Sequence, residues 1–232
     1  MEAKPLFKPG PDPDFPYLDE TIRFKFPDPR KWNNDIISVG GNLSPGMLLS
    51  AYEQGIFPWY GPGDPILWQS PDPRCIIFPD KLHISSSMKK IFKKQIFKIT
   101  YDADFNGVIR GCAEKNRPGQ NGTWITGDII NAYTKLHELG WVHSAEAWQD
   151  GELAGGCYGV LLGRVFYGES MFADKENASK AAFLSYARHL FEHNAAFIDC
   201  QVPNKHLLSL GGEEMSRNNF LKLLETYKIF RY

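Results

Sequence analysis

The chain lacks most features that announce a function directly. Its 232 residues contain no run of eighteen apolar residues, so no membrane-spanning helix is expected. Its start, Met1-Glu2-Ala3-Lys4-Pro5, has no apolar secretory segment, which points to a cytoplasmic protein. Cysteine is scarce. Cys75, Cys112, Cys157 and Cys200 stand far apart, with no CxxC and no Cys/His cluster at metal-ligand spacing. This argues against the common zinc motifs and predicts reduced thiols and no metal. Neither charge is in excess: 26 Lys+Arg face 27 Asp+Glu, net −1, so global charge names no partner. There is no internal repeat, no low-complexity tract and no Walker phosphate loop.

What is present supports real cores. Hydrophobic residues make up 43% and aromatics 14%, enough for one large or two small domains. Seven of the sixteen prolines fall in residues 1–31, which should be extended and packed on other elements. Gly40-Gly41 then turns the chain, Ser44 suits an N-cap, Pro45 suits the first helical position, and Gly55 suits a left-handed stop. From Gly55 to Arg74, Trp59, Trp68 and five prolines make a rigid aromatic loop, either a core cover or a stacking platform for bases. A domain change is expected near Arg74–Pro79, giving a small N-terminal domain (1–75) and a larger one (76–232).

A helix over Ser85–Gln95 carries Lys89, Lys90, Lys93 and Lys94 within an arc of roughly 140°. Six lysines and no acid lie between Lys81 and Lys98, as either an ordinary solvated face or a surface for nucleic-acid phosphates. The larger part then reads strand (97–101), helix (105–112), loop (Arg117–Gly122), and helix to Leu139. A meander of strands follows at 141–149, 152–162 and 165–169, with Asp150-Gly151 as the hairpin turn. A helix opened by Asn177 or Ser179, a strand over 196–201 and two short helices complete it. This α+β order matches an N-acetyltransferase-like (GNAT) core. In that class a Gly-rich turn before the post-meander helix holds the coenzyme A pyrophosphate. Here that turn, Met171–Asn177, has no glycine and carries two acids, so acyl transfer without acyl-CoA is expected.

Two stretches carry the chemistry. Glu169 follows Gly168 among large apolar groups, where ionisation needs a partner. Asp199 and Gln201 leave an apolar strand on the same side, as either a satisfied strand-end pair or a reactive one.

Seven motifs occur in order: Gly40–Pro45, Gly55–Trp59, Ser70–Arg74, Gly122–Ile125, His143–Glu146, Gly168–Phe172 and Ile198–Gln201. Together, over about residues 36–220, they resemble the leucyl/phenylalanyl-tRNA–protein transferases. The resemblance implies transfer of Leu, Phe or Met from charged tRNA to a protein with N-terminal Arg or Lys, marking it for N-end rule degradation. It implies a monomer with no cofactor. By position, Asp199 supplies an electrostatic pull, Gln201 holds the amine, and Glu169 orients the pair or meets the cationic acceptor residue. Cys157, Phe166 and Met171 form the aminoacyl pocket, with Phe183 and Tyr186 nearby. Trp59 and Trp124 belong to the same pocket and shape the site for the terminal adenosine and its amino acid, and Lys89, Lys90, Lys93 and Lys94 meet the acceptor stem. The chain departs from the family pattern at Asn42 (usually Asp), Gln69 (usually Trp), Ser86 (commonly basic) and Cys157 (typically Met or Leu). The shorter Cys157 should enlarge the pocket. Two other readings remain: a related enzyme with a peptidoglycan-precursor or acidic N-terminal acceptor, and a non-catalytic tRNA-binding module.

Overall fold

The computed structural model describes residues 8–115 and 123–227. The expected loop at Arg117–Gly122 lies outside the described residues. In chain order the elements are β1 (Ile36–Val39), α1 (Pro45–Glu53), β2 (Phe57–Pro58), β3 (Leu67–Gln69), β4 (Arg74–Ile77), α2 (Ser86–Lys93), β5 (Lys98–Tyr101), α3 (Phe105–Glu114) and α4 (Gly127–Glu138). There follow β6 (Val142–Gln149), β7 (Glu152–Leu162), β8 (Val165–Ala173), α5 (Ala178–Glu192), β9 (Phe197–Gln201), α6 (Lys205–Ser209), β10 (Glu213–Met215) and α7 (Arg217–Tyr227).

The first segment is short on regular structure because proline fixes φ and removes donors. It is held on α1 by side chains of that helix and its ends. Ser44 Oγ accepts from Leu18 N, Ser50 Oγ from Phe24 N, and Gln54 Oε1 from Phe26 N. Ser44 therefore sits at the N-cap position, but its hydroxyl serves Leu18 rather than the helix. Asn42 donates to the carbonyls of Phe15 and Pro16, which a carboxylate cannot do. Gly55 ends α1 with φ +74, and a Cβ there would lie 2.5 Å from Leu221.

A small antiparallel sheet, β1-β3-β2, stands beside a seven-stranded sheet, β10-β4-β9-β8-β7-β6-β5. All neighbours in the larger sheet are antiparallel except β8 and β9, which α5 connects. This is the expected meander, helix and returning strand. The larger sheet takes up the chain at Arg74. One face packs on α2 and α5 through Met88, Ala182, Phe183 and Leu190. The other packs on α1, α3, α4 and α7, with Leu48, Val108, Tyr133 and Phe220 in one continuous core.

Two local expectations are corrected. β8 does not end at Glu169; it runs to Ala173, because the eleven-residue β7 keeps pairing with it past that point. The turn before α5 therefore shortens to Asp174–Asn177. Asn177 occupies the cap position with φ +67, but its side chain makes no cap bond.

Candidate active site

The parallel pair β8/β9 is bonded only from Val165 opposite Phe197 to Tyr167 opposite Asp199. Beyond that point β8 stays with β7, and β9 leaves with β4. A cavity of about 400 Å³ opens where the two strands part. Divergence at the carboxyl ends of parallel strands is a recurrent origin of binding sites.

Two β-bulges shape this opening. Pairing of β7 with β8 passes from Tyr158↔Ser170 to Gly159↔Gly168, so Glu169 is the extra residue. Pairing of β4 with β9 passes from Cys75↔Gln201 to Ile76↔Asp199, so Cys200 is the extra residue. A bulge re-aims a side chain out of the alternating pattern. Gln201 accordingly has φ +61, a conformation costing of order 1 kcal/mol for a non-glycine residue.

Glu169 is buried and fully engaged. Its Oε1 accepts from Tyr52 OH at 2.7 Å and Gln201 Nε2 at 2.8 Å, and its Oε2 accepts from Tyr133 OH at 3.2 Å. The two tyrosine hydroxyls also touch each other. Burial pushes the Glu169 carboxyl up to about 7, helped by the nearby Asp199 charge and opposed by the three donors. Burial, with the Glu169 charge next, pushes Tyr52 and Tyr133 well above the ordinary phenol value, so both remain donors at neutral pH.

Asp199 sits behind the cavity, not in its wall. Arg74 grips it with two bonds, Nε to Oδ1 at 2.8 Å and Nη2 to Oδ2 at 2.6 Å, and both side chains are completely buried. The guanidinium also donates to Gly55 O and lies between the Phe57 and Phe220 rings, 4.9 and 4.4 Å from their centroids. Such a pair is sustained in a dry interior only by bidentate geometry and further contacts of this kind. Asp199 Oδ1 then accepts from Gln201 N at 2.9 Å, which holds the strained turn.

The structure thus joins Asp199, Gln201 and Glu169 into one chain of bonds. Of this set, Glu169 and Gln201 line the cavity. The shared side predicted for Asp199 and Gln201 is replaced by a backbone link, because the bulge breaks the alternation. Cys157, Phe166 and Met171, expected to form an aminoacyl pocket, line the cavity together with Phe183, Trp59 and Trp124. Tyr186 instead packs edge-on against Phe166, outside the wall. Lys89, Lys90, Lys93 and Lys94 are exposed on and just after α2, and Ser85 Oγ caps that helix by accepting from Met88 N. None of the four lysines is ion-paired with a described residue.

Sequence reasoning missed Tyr52, Tyr133 and Arg74 as parts of the site. Arg74 closes the Ser70–Arg74 motif, and that was its only signal. The tyrosines lie on apolar helix faces and read as core. At the turn before α5, the N–H groups of Asp174 and Lys175 both donate to Ala154 O, at 2.8 and 3.1 Å.

Comparison with known proteins follows the same lines. Residues 76–225 match the family model described as leucyl/phenylalanyl-tRNA protein transferase, and residues 41–72 match that of its N-terminal domain. A leucyl/phenylalanyl-tRNA–protein transferase of Saccharophagus degradans is 52% identical over 192 residues, 83% of this chain and 79% of that protein. Its counterpart in Desulfatibacillum aliphaticivorans is 52% identical over 200 residues, 86% of each chain. That of Hahella chejuensis is 49% identical over 214 residues, 92% of this chain and 91% of that one. With the family model spanning most of the chain and relatives this similar along nearly its whole length, the chain belongs to the leucyl/phenylalanyl-tRNA–protein transferase family.

Proposed function

We propose that this chain moves leucine or phenylalanine from aminoacyl-tRNA to the N-terminal amine of an acceptor protein. The observation that carries the reading is the Glu169–Gln201 pair set at the mouth of an apolar cavity, where β8 and β9 part. The aminoacyl side chain enters between Cys157, Phe166, Met171 and Phe183. Trp59 and Trp124 receive the terminal adenosine, and the exposed lysines of α2 meet acceptor-stem phosphates. A donor carried on RNA needs no pyrophosphate cradle, and the N–H groups of Asp174 and Lys175 are already spent on Ala154 O.

The donor is an activated ester, so the protein's main task is to position two substrates. Gln201 Nε2 is committed to Glu169, which leaves its Oε1 to accept an N–H of the attacking amine. The amine nitrogen bonds to the ester carbonyl carbon, the bond to the ribose oxygen breaks, and one proton passes from nitrogen to that oxygen. With a carboxyl that titrates near neutrality, Glu169 serves as a local proton acceptor or as the counter-charge for a cationic acceptor residue. Asp199 is a positioning residue: neutralised by Arg74, it acts through the Gln201 backbone. A carboxylate at the mouth favours acceptors beginning with Arg or Lys over acidic ones. A leucine or phenylalanine product would be an N-terminal degradation signal.

The test is transfer of labelled leucine from charged tRNA to peptides beginning with Arg, Lys, Asp or Glu. Label on the Arg and Lys peptides is expected. Label confined to the acidic peptides, or to none, would overturn the reading.

A further inference from the structure

Cys200 in the cavity wall has a second thiol, Cys75, behind it, and the transfer chemistry uses neither. Cys75 on β4 and Cys200 on β9 lie on adjacent antiparallel strands, with Cys200 the extra residue of the bulge beside Cys75. Both side chains enter the apolar layer under α5, with Ile77 and Ile198. The two thiols interact with each other there. Cys75 is wholly buried, whereas Cys200 keeps 8% exposure and lines the cavity. Cys75 pairs with Gln201, and Cys200 is the residue just before it, so the two cysteines are neighbours offset by one position across a single ladder.

We propose that Cys75 and Cys200 form an oxidisable dithiol, and that a peroxide converts it to a disulfide that shuts the adjoining site. One thiolate attacks the peroxide oxygen, giving a sulfenic acid and water. The second thiol then attacks the sulfenic sulfur, the S–S bond forms, and a second water leaves. Two thiols lose two electrons and two protons, and one hydrogen peroxide becomes two waters. The neighbouring Cys200 holds the Cys75 thiol below its ordinary value, with burial opposing, whereas Cys75 and burial push Cys200 well up, so Cys75 is the sulfur that ionises. Peroxide enters by the cavity, where Cys200 is exposed, with Cys75 behind it.

The consequence for activity rests on the function proposed above. Cys75 follows Arg74, and Cys200 sits between Asp199 and Gln201. Drawing the sulfurs together to about 2.0 Å shifts β4 against β9 and moves Gln201 relative to Glu169. A displacement of about 1 Å in a reacting group costs on the order of 100-fold in rate.

The test treats the native full chain with excess hydrogen peroxide, then maps an unreduced digest by mass spectrometry and assays transfer. The expected result is an intact mass lower by two hydrogens and a peptide joining Cys75 to Cys200. Transfer should fall at least about tenfold and recover with dithiothreitol. Cys75→Ser should keep its starting activity and form no such cross-link; Cys75→Ala serves if the serine variant folds poorly. A cross-link between Cys112 and Cys157, sulfinic acid with no cross-link, or full activity in the cross-linked protein would overturn the proposal. The cross-link is read by mass alone, whereas transfer by untreated protein judges the functional reading.

Discussion

Gln201 Nε2 stands 2.8 Å from Glu169 Oε1, across the gap that opens when β8 and β9 cease to pair. Each residue reaches that point through a β-bulge, and neither would face the other in regular alternation. The amide is pinned at one end by a carboxylate and at its backbone by Asp199. It is a rigid group at the mouth of the cavity.

Gln201→Ala removes the proposed amine acceptor while keeping the cavity. kcat/KM for leucine transfer is expected to fall at least about tenfold, with tRNA affinity unchanged. Wild-type transfer by the variant would remove Gln201 from the chemistry.

Asp199→Ala leaves the Arg74 charge buried and unpaired. A stability loss of about 3–5 kcal/mol is expected in urea titration. Arg74→Met combined with Asp199→Leu should recover much of that stability but not transfer, since Gln201 N still lacks its acceptor. Restored transfer in the double variant would count against the positioning role.

Glu169 makes stability depend on pH with a defined sign. Its folded-state pKa, about 7, lies above the ordinary 4.5, so the fold favours the protonated form. The contribution is complete below 4.5 and is lost as pH rises through about 7, with a slope of up to about 1.4 kcal/mol per pH unit between them. Denaturation across that window should show wild-type stability falling with pH relative to Glu169→Gln. Transfer to an Arg-initiated peptide should rise over the same range, and the variant should lack that limb.

The four α2 lysines form an exposed arc without ion-paired partners among the described residues. Replacing all four by alanine should flatten the salt dependence of tRNA binding by roughly 0.7–0.9 log units per log salt for each phosphate no longer neutralised. Transfer from an aminoacyl-adenosine, which carries no stem, should not change. An unaltered salt slope would show that RNA binds elsewhere.

Cys157→Met lengthens a side chain in the cavity wall. Adding atoms at a packed surface costs about 1–3 kcal/mol where the space is needed. Phenylalanine transfer should therefore fall about fivefold or more relative to leucine. A parallel change in both would mean that Cys157 does not set the width of the pocket.

Much of the architecture was legible in the residues. Asp150-Gly151 placed the β6–β7 hairpin, and Pro45 and Gly55 bounded α1. The apolar stripe through Ala182, Phe183 and Leu190 faces the sheet. These are local signals, governed by periodicity and turn chemistry. The end of β8 was not legible. Gly168 and Glu169 resemble a break, but the partner strand carries β8 past them.

The α+β class and the order of elements from α2 to β9 were settled by the residue pattern alone, since each depends on neighbours a few positions apart. By contrast, β1, β2, β3 and β10 were not read as strands, and the pocket residues came only with the family motifs. The arrangement of the site was settled only by folding. Arg74 grips Asp199 across 125 positions, Tyr52 reaches Glu169 across 117, and each bulge exists only relative to its partner strand. Burial then moves the Glu169 carboxyl toward neutrality, and burial is a property of the assembled core, not of any stretch of chain.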